Sequence, residues 1–171
     1  WTVGRVMDAL AKLKLADNTL LIVTSDNGGV LDANGPDTEH GGTVETNNGH
    51  AHNGPLRAGK GSAYEGGTRV PMIVRWPGHI PPGSRSDYAG LNFDLFPTFL
   101  ELAGAKPAAE LDAVSLVPVL TGGTLATPRD LYFVRREGGL DYGGKSYEAI
   151  IRGEWKLLQN DPYSPLELYN L

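Results

Sequence analysis

The chain contains 171 residues, of which 40% are hydrophobic, and its formal net charge is -5. This hydrophobic content supports a packed core and argues against wholesale disorder. The negative balance argues against nucleic-acid binding, which requires a basic face, and no apolar run is long enough to cross a bilayer. The chain has no cysteine, which excludes disulfides, thiolate zinc sites and cysteine nucleophiles within these residues.

The first part of the chain predicts a helix followed by a buried strand. Apolar residues recur at helical spacing from Val3 to Leu13, with Thr2 as the N-cap. Trp1 is not an initiator methionine and no signal-peptide pattern follows it, so we expect a truncated or processed chain. The apolar run from Leu20 to Val23 is typical of a strand buried on both faces, and it indicates a parallel α/β sheet.

The rest of the chain predicts another strand and helix, and then a separate β subdomain. Residues 70–76 fit a second buried strand, and a helix is expected from Asp94, as its N-cap, to Ala103, ending at Gly104. Beyond a linker-like stretch, short β-type runs occupy residues 131–134, 147–151 and 155–158, with a tight turn at 152–154. We therefore predict an α/β domain over residues 1–123 and a small, incomplete antiparallel subdomain over 129–171.

The first candidate site follows the first predicted strand directly, in the run SDNGG at residues 25–29. Ligands of open α/β sheets bind beyond the carboxyl ends of strands. Asp26 and Asn27 would offer oxygen atoms there that suit a hard cation such as Ca²⁺ or Mg²⁺. The same residue types build ordinary turns, and this motif taken alone favours a plain turn.

The second candidate is the segment NGPLRAGKGS at residues 53–62, which places Arg57 and Lys60 among glycines. Two cations in such a loop can approach a tetrahedral oxyanion closely. A flexible surface loop with solvated charges explains the composition equally well. A P-loop does not fit, because Gly61 stands where Ser or Thr should hold magnesium and no apolar strand precedes the glycines.

Two further predictions concern side chains near these segments. We expect Glu65 and Arg69 to form a buried ion pair that supports the loop rather than acting in catalysis. His50 and His52 lie shortly before Lys60. They are predicted as substrate contacts or acid–base groups, although a lone loop histidine is more often simply solvated.

In their order and spacing these motifs together resemble the sulfatase family of the alkaline-phosphatase-like superfamily. The resemblance covers nearly the whole chain and is most specific over residues 60–71. The matching runs are LLIVTSDNGG at 20–29, GPLRAGKGSAYEGGTRVP at 54–71, DLFPT at 94–98, WKL at 155–157 and ELYNL at 167–171. The implied fold is part of an alkaline-phosphatase-like mixed sheet with flanking helices, together with a small antiparallel β subdomain.

The resemblance also implies roles for particular residues in the hydrolysis of a sulfate ester. Asp26 and Asn27 take the positions of ligands to a divalent cation, usually Ca²⁺, with Mg²⁺ as the alternative. Lys60 takes the position of the catalytic lysine that contacts the sulfate group. Arg57, His50 and His52 are weaker candidates for substrate binding.

The chain departs from the family pattern at the nucleophile. The family uses a formylglycine made from Cys or Ser in a C/S-x-P/A-x-R motif, and no serine of this chain has Pro or Ala two residues on and Arg four residues on. We therefore expect a carboxyl-terminal portion that is inactive alone, whose exposed sheet edge is covered by the missing amino-terminal part or by self-association. The alternatives are a phosphodiesterase or phosphonate monoester hydrolase of the same superfamily, and a non-catalytic binding module. The substrate and the compartment stay open, although family members are often exported.

Overall fold

The computed structural model describes residues 1–29, 53–125, 129–136 and 146–171. Contacts group the chain into two compact units, Trp1–Thr24 with Met72–Thr127, and Ser25–Pro71 with Pro128–Leu171. Both units combine helices with antiparallel strands, in agreement with the predicted α/β class. The division predicted between residues 123 and 129 stays a prediction.

The first unit contains three helices and two strands among its described residues. The helices are α1 (Thr2–Lys12), α3 (Leu95–Leu102) and α4 (Val117–Leu120), the strands are β1 (Leu21–Thr24) and β2 (Met72–Arg75), and 3-10 turns occupy Ala16–Asn18 and Asn92–Asp94. The two predicted helices are confirmed, although α1 includes Thr2 and takes Trp1 as its N-cap. The longest described helix has 11 residues, and none is long and apolar enough to cross a membrane.

The pairing of β1 with β2 corrects two expectations. The strands are antiparallel, with Leu21 opposite Arg75 and Thr24 opposite Met72, so the parallel pairing expected from the helix–strand order is wrong for these two strands. They are also not buried on both faces, because the side chain of Ile73 is 65% exposed. An apolar run reports that a strand is suited to burial, but it carries no information on the direction of the neighbouring strand.

Helices α1 and α3 end in the same backbone motif. In α1, Lys14 has a φ of 58°, and the Leu15 N–H donates to the Leu10 carbonyl at 2.9 Å. In α3, Gly104 has a φ of 68°, and the Ala105 N–H donates to the Leu100 carbonyl at 2.8 Å. Both patterns satisfy carbonyl groups of the last turn. The glycine was predicted as a helix end, whereas a lysine in the left-handed region gives no such signal in the sequence.

A buried polar network fixes the start of α3. The fully buried carboxylate of Asp94 accepts hydrogen bonds from the N–H groups of Leu91 at 2.8 Å and Val114 at 3.1 Å. Thr98 Oγ1, also fully buried, donates to the Asp94 carbonyl at 2.6 Å and accepts from the Leu116 N–H at 2.8 Å. These bonds hold the segment before α4 against α3, since an unpaired buried polar group would be costly.

The second unit is built on a four-stranded antiparallel sheet in the order β3-β4-β5-β6. The strands are Leu131–Arg135, Tyr147–Arg152, Trp155–Gln159 and Glu167–Asn170, and a short helix, α2, covers Glu65–Thr68. The first three strands confirm the predicted β runs. The predicted turn between β4 and β5 is also present, with a φ of 58° at Gly153.

Alternating side chains give this sheet one packed face and one exposed face. Leu158 and Ala149 pack with Ala63 in a small core, which Tyr64 and Phe133 border. The opposite face carries large exposed apolar side chains from three strands, namely Tyr132, Val134, Trp155, Leu157 and Leu168. Alternation is typical of an antiparallel sheet, but this outer face is much more apolar than one that normally faces water.

We predict that Asp94→Ala destabilises the protein by about 1 to 3 kcal/mol, because the substitution leaves the N–H groups of Leu91 and Val114 without their acceptor. Urea denaturation of the full-length protein measures this effect. Asp87→Ala, at an exposed position, is the matched control and should stay within about 0.5 kcal/mol of the wild type. Equal unfolding midpoints for the two variants would show that the buried network contributes nothing to stability.

Candidate functional site

The loop after β1 presents the two predicted metal ligands. Ser25 Oγ donates to the Asn27 carbonyl at 2.8 Å, and Asn27 Nδ2 donates to the Gly28 carbonyl at 2.9 Å. Asp26 is exposed and Asn27 is half-buried. Because the amide nitrogen of Asn27 is used within the loop, the atoms this pair can offer a cation are the Asp26 carboxylate and Asn27 Oδ1. Both are the hard oxygen donors that Ca²⁺ and Mg²⁺ prefer.

Asn53 joins this loop to the segment that carries Lys60. Its Oδ1 accepts from the Gly29 N–H at 2.9 Å, while its Nδ2 donates to the carbonyls of Gly29 at 3.2 Å and Ala58 at 2.9 Å. The Lys60 N–H also donates to the Gly29 carbonyl, at 3.1 Å. The backbones of the two predicted segments are therefore bonded to each other, and the side chain of Lys60 is exposed.

Three glycines allow these segments to meet without intervening side chains. The Gly28 N–H donates to the Gly67 carbonyl at 2.9 Å. A Cβ at Gly28 would lie 1.7 Å from the Gly66 carbonyl oxygen, and a Cβ at Gly66 would lie 2.0 Å from the Ala58 oxygen. Both distances are shorter than any real contact, so the loop after β1, the Lys60 segment and α2 pack backbone against backbone. We call this contact the glycine junction (Gly28, Gly66 and Gly67).

The principal partner of Glu65 differs from the one predicted. Glu65 Oε2 lies 3.8 Å from Arg69 Nη1, yet the Arg69 side chain is 65% exposed, so the expected buried pair is corrected. Lys156 Nζ of β5, with a side chain only 1% exposed, donates to Glu65 Oε1 at 2.7 Å and to Thr68 Oγ1 at 3.3 Å. Lys156 therefore bonds to the first and the last residue of α2 and holds this helix against the sheet.

Sequence reasoning missed Lys156 and Asn53. The alternation of β5 places Lys156 on the same face as the buried Leu158, and a lysine at such a position indicates a buried partner. That signal was available in the sequence. Asn53 offered none, because an asparagine before a glycine is equally typical of an ordinary turn.

Arg57 is anchored to the last strand. Its Nη1 donates to the phenol oxygen of Tyr169 at 2.8 Å and lies 3.5 Å from Glu167 Oε2. Its guanidinium carbon stands 3.7 Å from the centre of the Tyr64 ring, a cation–π contact. Asn160 Nδ2 donates to Glu167 Oε1 at 3.0 Å and to the Tyr64 phenol oxygen at 2.7 Å. Whether Arg57 also binds substrate, as predicted, stays a prediction.

The electrostatics of this cluster fix the protonation of its members. The Tyr169 phenol, followed by Tyr64, donates a hydrogen bond to Glu167 and holds the pKa of that carboxyl below its ordinary value. Burial and the bond to Glu167 raise the pKa of Tyr64, and the bond to Glu167 raises that of Tyr169. At neutral pH Glu167 is therefore an anion held by two neutral phenols, and it faces the cationic Arg57.

The remaining predictions for the site concern the two histidines and the metal ligands. His50 and His52 lie outside the described residues. Within residues 1–29, 53–125, 129–136 and 146–171, no three His, Cys, Asp or Glu side chains are grouped closely enough to hold a metal ion. Asp26 and Asn27 could therefore serve as part of a metal site, which requires donors from other residues.

We predict that Lys156→Met destabilises the full-length protein by about 3 kcal/mol or more, because it leaves the Glu65 carboxylate without its buried partner. Chemical denaturation provides the measurement. Glu65→Leu combined with Lys156→Met should recover much of the loss, since replacing both partners by apolar groups avoids an unpaired charge. A double variant no more stable than Lys156→Met would argue against this pairing.

Two family models match the chain. A sulfatase model covers residues 1–105, and a model for the carboxyl-terminal part of N-sulphoglucosamine sulphohydrolase covers residues 59–171. Steryl-sulfatase of Rattus norvegicus is 41% identical over 78% of this chain and 22% of its own length. N-acetylgalactosamine-6-sulfatase of Sus scrofa is 38% identical over 91% of this chain and 26% of its own length. The chain thus spans about a quarter of the length of these relatives.

Solved structures agree with the sequence relatives. Ps i-CgsB, solved in complex with k-i-k-neocarrahexaose, matches 98% of this chain and 33% of its own with a TM-score of 0.74 at 36% identity. A phosphonate monoester hydrolase from Silicibacter pomeroyi matches 98% of this chain and 31% of its own with a TM-score of 0.70. Its 22% identity supports the shared fold alone. With the two family models and these relatives, the chain belongs to the sulfatase family, within the alkaline-phosphatase-like superfamily.

Proposed function

We propose that this chain forms part of a sulfuric ester hydrolase, in which Asp26 and Asn27 contribute ligands to a divalent cation and Lys60 binds the sulfate group. The observation that carries the proposal is the direct bonding of the two segments, in which the Lys60 N–H and Asn53 both bind the carbonyl of Gly29. These bonds join the backbone segment that carries the cationic Lys60 to the loop that carries the oxygen donors of Asp26 and Asn27.

The chemistry of the donors fits a calcium site in part. A carboxylate and an amide oxygen are hard ligands, and Ca²⁺ commonly takes six to eight of them, so Asp26 and Asn27 would supply a minority of the set. When bound, the cation would supply positive charge that polarises the sulfate oxygens. The chain's own contribution is to orient the two donors, which the bond from Ser25 to the Asn27 carbonyl and the glycine junction support.

Lys60 would act by charge rather than by proton transfer. Its ammonium can donate hydrogen bonds to sulfate oxygens and stabilise the negative charge that develops as the S–O bond breaks. A group of this kind is effective when it is held in place before the reaction. The backbone bond from Lys60 to Gly29 supports such preorganisation, while the exposed side chain remains accessible to an ester.

The other candidate activity, hydrolysis of phosphonate monoesters, has weaker support. It rests on a structure that shares the fold at 22% identity, whereas sulfatases reach 41% identity. Turnover of an aryl sulfate compared with an aryl phosphonate separates the two activities, when it is measured on the full-length protein, meaning the complete protein of which this chain is proposed to be a part. Preference for the phosphonate would overturn the proposal in favour of the alternative.

We predict that Lys60→Gln lowers kcat/KM for an aryl sulfate by about 100-fold, the typical effect of removing one donor to a developing oxyanion. Steady-state kinetics of the full-length protein measures it. Lys106→Gln removes a lysine from an exposed loop position and should leave kcat/KM within about twofold. Equal kinetics for the two variants would contradict a sulfate-binding role for Lys60.

We predict that Asp26→Asn weakens Ca²⁺ binding by about tenfold or more, because calcium affinity follows the number of charged ligands. Isothermal titration calorimetry of the full-length protein gives this affinity without reference to activity. Asp87→Asn, at an exposed position, is the control and should bind Ca²⁺ like the wild type. An unchanged affinity in Asp26→Asn would remove this residue from the proposed ligands.

A further inference from the structure

We infer that Arg57 is a positioning residue, which anchors the Lys60 segment to the edge strand β6 through Glu167 and Tyr169, and not a ligand of the ester. The inference rests on the proposed function, because its consequence is the placement of Lys60. It gives Arg57 a role in the same site that differs from substrate binding.

The Arg57 side chain contacts two residues of β6 and the ring of Tyr64. Nη1 donates to the Tyr169 phenol at 2.8 Å and lies 3.5 Å from the Glu167 carboxylate, and the guanidinium stands over the Tyr64 ring. A planar guanidinium combines stacking with directed hydrogen bonds in a way that an ammonium cannot. Three different groups therefore fix one side chain that remains 62% exposed.

The charge of Arg57 already has a counter-ion. Glu167 remains ionised because the phenols of Tyr169 and Tyr64 donate hydrogen bonds to it, which lowers the pKa of the carboxyl. An ester anion that approached Arg57 would meet this carboxylate as well, and like charges repel at such distances. The Glu167 carboxylate therefore neutralises the Arg57 charge, and this favours an anchoring role for Arg57 over the binding of an anion.

Both sides of Lys60 are tied to the sheet. On one side, the Arg57 side chain bonds to Tyr169 and Glu167 of β6. The Arg57 carbonyl also accepts a hydrogen bond from the Gly66 N–H at 2.8 Å. On the other side of Lys60, the Gly61 carbonyl accepts from Arg135 Nη1 of β3 at 3.0 Å. The segment from Arg57 to Gly61 is thus held at one end by the bonds of Arg57 to β6 and at the other by a bond from Arg135 of β3, the two outer strands of the described sheet.

A double-mutant cycle in the full-length protein tests the inference, with aryl-sulfate kinetics as the readout. Arg57→Ala and Glu167→Gln should each lower kcat about 10-fold to 100-fold, as expected for a displaced catalytic group, with KM nearly unchanged. The double variant should lose no more than the worse single variant, since both changes break one anchor. Arg57→Lys should fail to restore kcat, because the charge without the planar group cannot stack and bond as arginine does.

Glu148→Gln is the matched control, because this exposed glutamate of the same sheet pairs with Arg136 instead, and its kinetics should be those of the wild type. If Arg57→Ala does not fold, as judged by its thermal unfolding curve, Glu167→Gln and Tyr169→Phe still test the anchor.

Direct binding of the ester predicts the opposite pattern and would overturn the inference. In that case Arg57→Ala raises KM, Arg57→Lys restores much of the affinity, and Glu167→Gln has normal kcat. If the complete protein of which this chain is proposed to be a part, including its nucleophile segment, turns over no sulfate ester, the proposed function itself fails, and the positioning role for Arg57 fails with it. Normal wild-type turnover with a normal Glu167→Gln variant overturns the positioning role alone.

Discussion

The candidate site depends on the close approach of three backbone segments at the glycine junction. A single added methyl group at Gly28 would stand 1.7 Å from a carbonyl oxygen, so the contact exists only where side chains are absent. Backbone hydrogen bonds then replace side-chain packing as the means of holding the Asp26 loop and the Lys60 segment. This arrangement leaves the functional side chains outside the contact, which is why those of Asp26 and Lys60 remain exposed.

Buried polar groups give each unit its specific geometry. In one unit the Asp94 carboxylate and the Thr98 hydroxyl satisfy backbone N–H groups around α3. In the other, Lys156 and Glu65 join α2 to β5. A small apolar core such as that of Ala63, Ala149 and Leu158 supplies little directional information. Hydrogen-bonded charges specify which surfaces meet, because any other pairing would leave a buried group unsatisfied.

Much of the fold could be predicted from the sequence, and the reasons for the failures are physical. The N-cap at Asp94 and the glycine at position 104 located α3, and short runs of β-type residues located three strands of the sheet. The direction of β2 beside β1 could not be predicted, because an apolar run is compatible with either orientation. The sequence predicts no strand at Glu167–Asn170 beyond its match to a family motif, since four residues with two apolar side chains give a weak periodic signal.

For the candidate site, the motif residues could be predicted from the sequence, but most of the contacts that hold them could not. Motif order identified Asp26, Asn27 and Lys60, and their assigned roles stay proposals. The burial of Lys156 could be predicted from the alternation of β5, but its partner could not, and neither could the hydrogen-bond partners of Arg57, because the members of these pairs are distant in sequence. Lys156 lies 91 positions from its partner Glu65, and the two β6 partners of Arg57, Glu167 and Tyr169, lie more than 100 positions away from it. Spacing along a chain reports local geometry, whereas contacts of this kind follow from the path of the whole fold.

The backbone of Ala58 limits the residues that position 58 can accept. It has a φ of 62°, a left-handed conformation that costs an ordinary residue about 1 to 2 kcal/mol, and its carbonyl is held by Asn53. Glycine or asparagine would accept this conformation readily, whereas valine, isoleucine or threonine would not. Natural variation at position 58 should therefore be confined to small or asparagine-like residues. The position two residues before Lys60 is thus restricted by its backbone conformation.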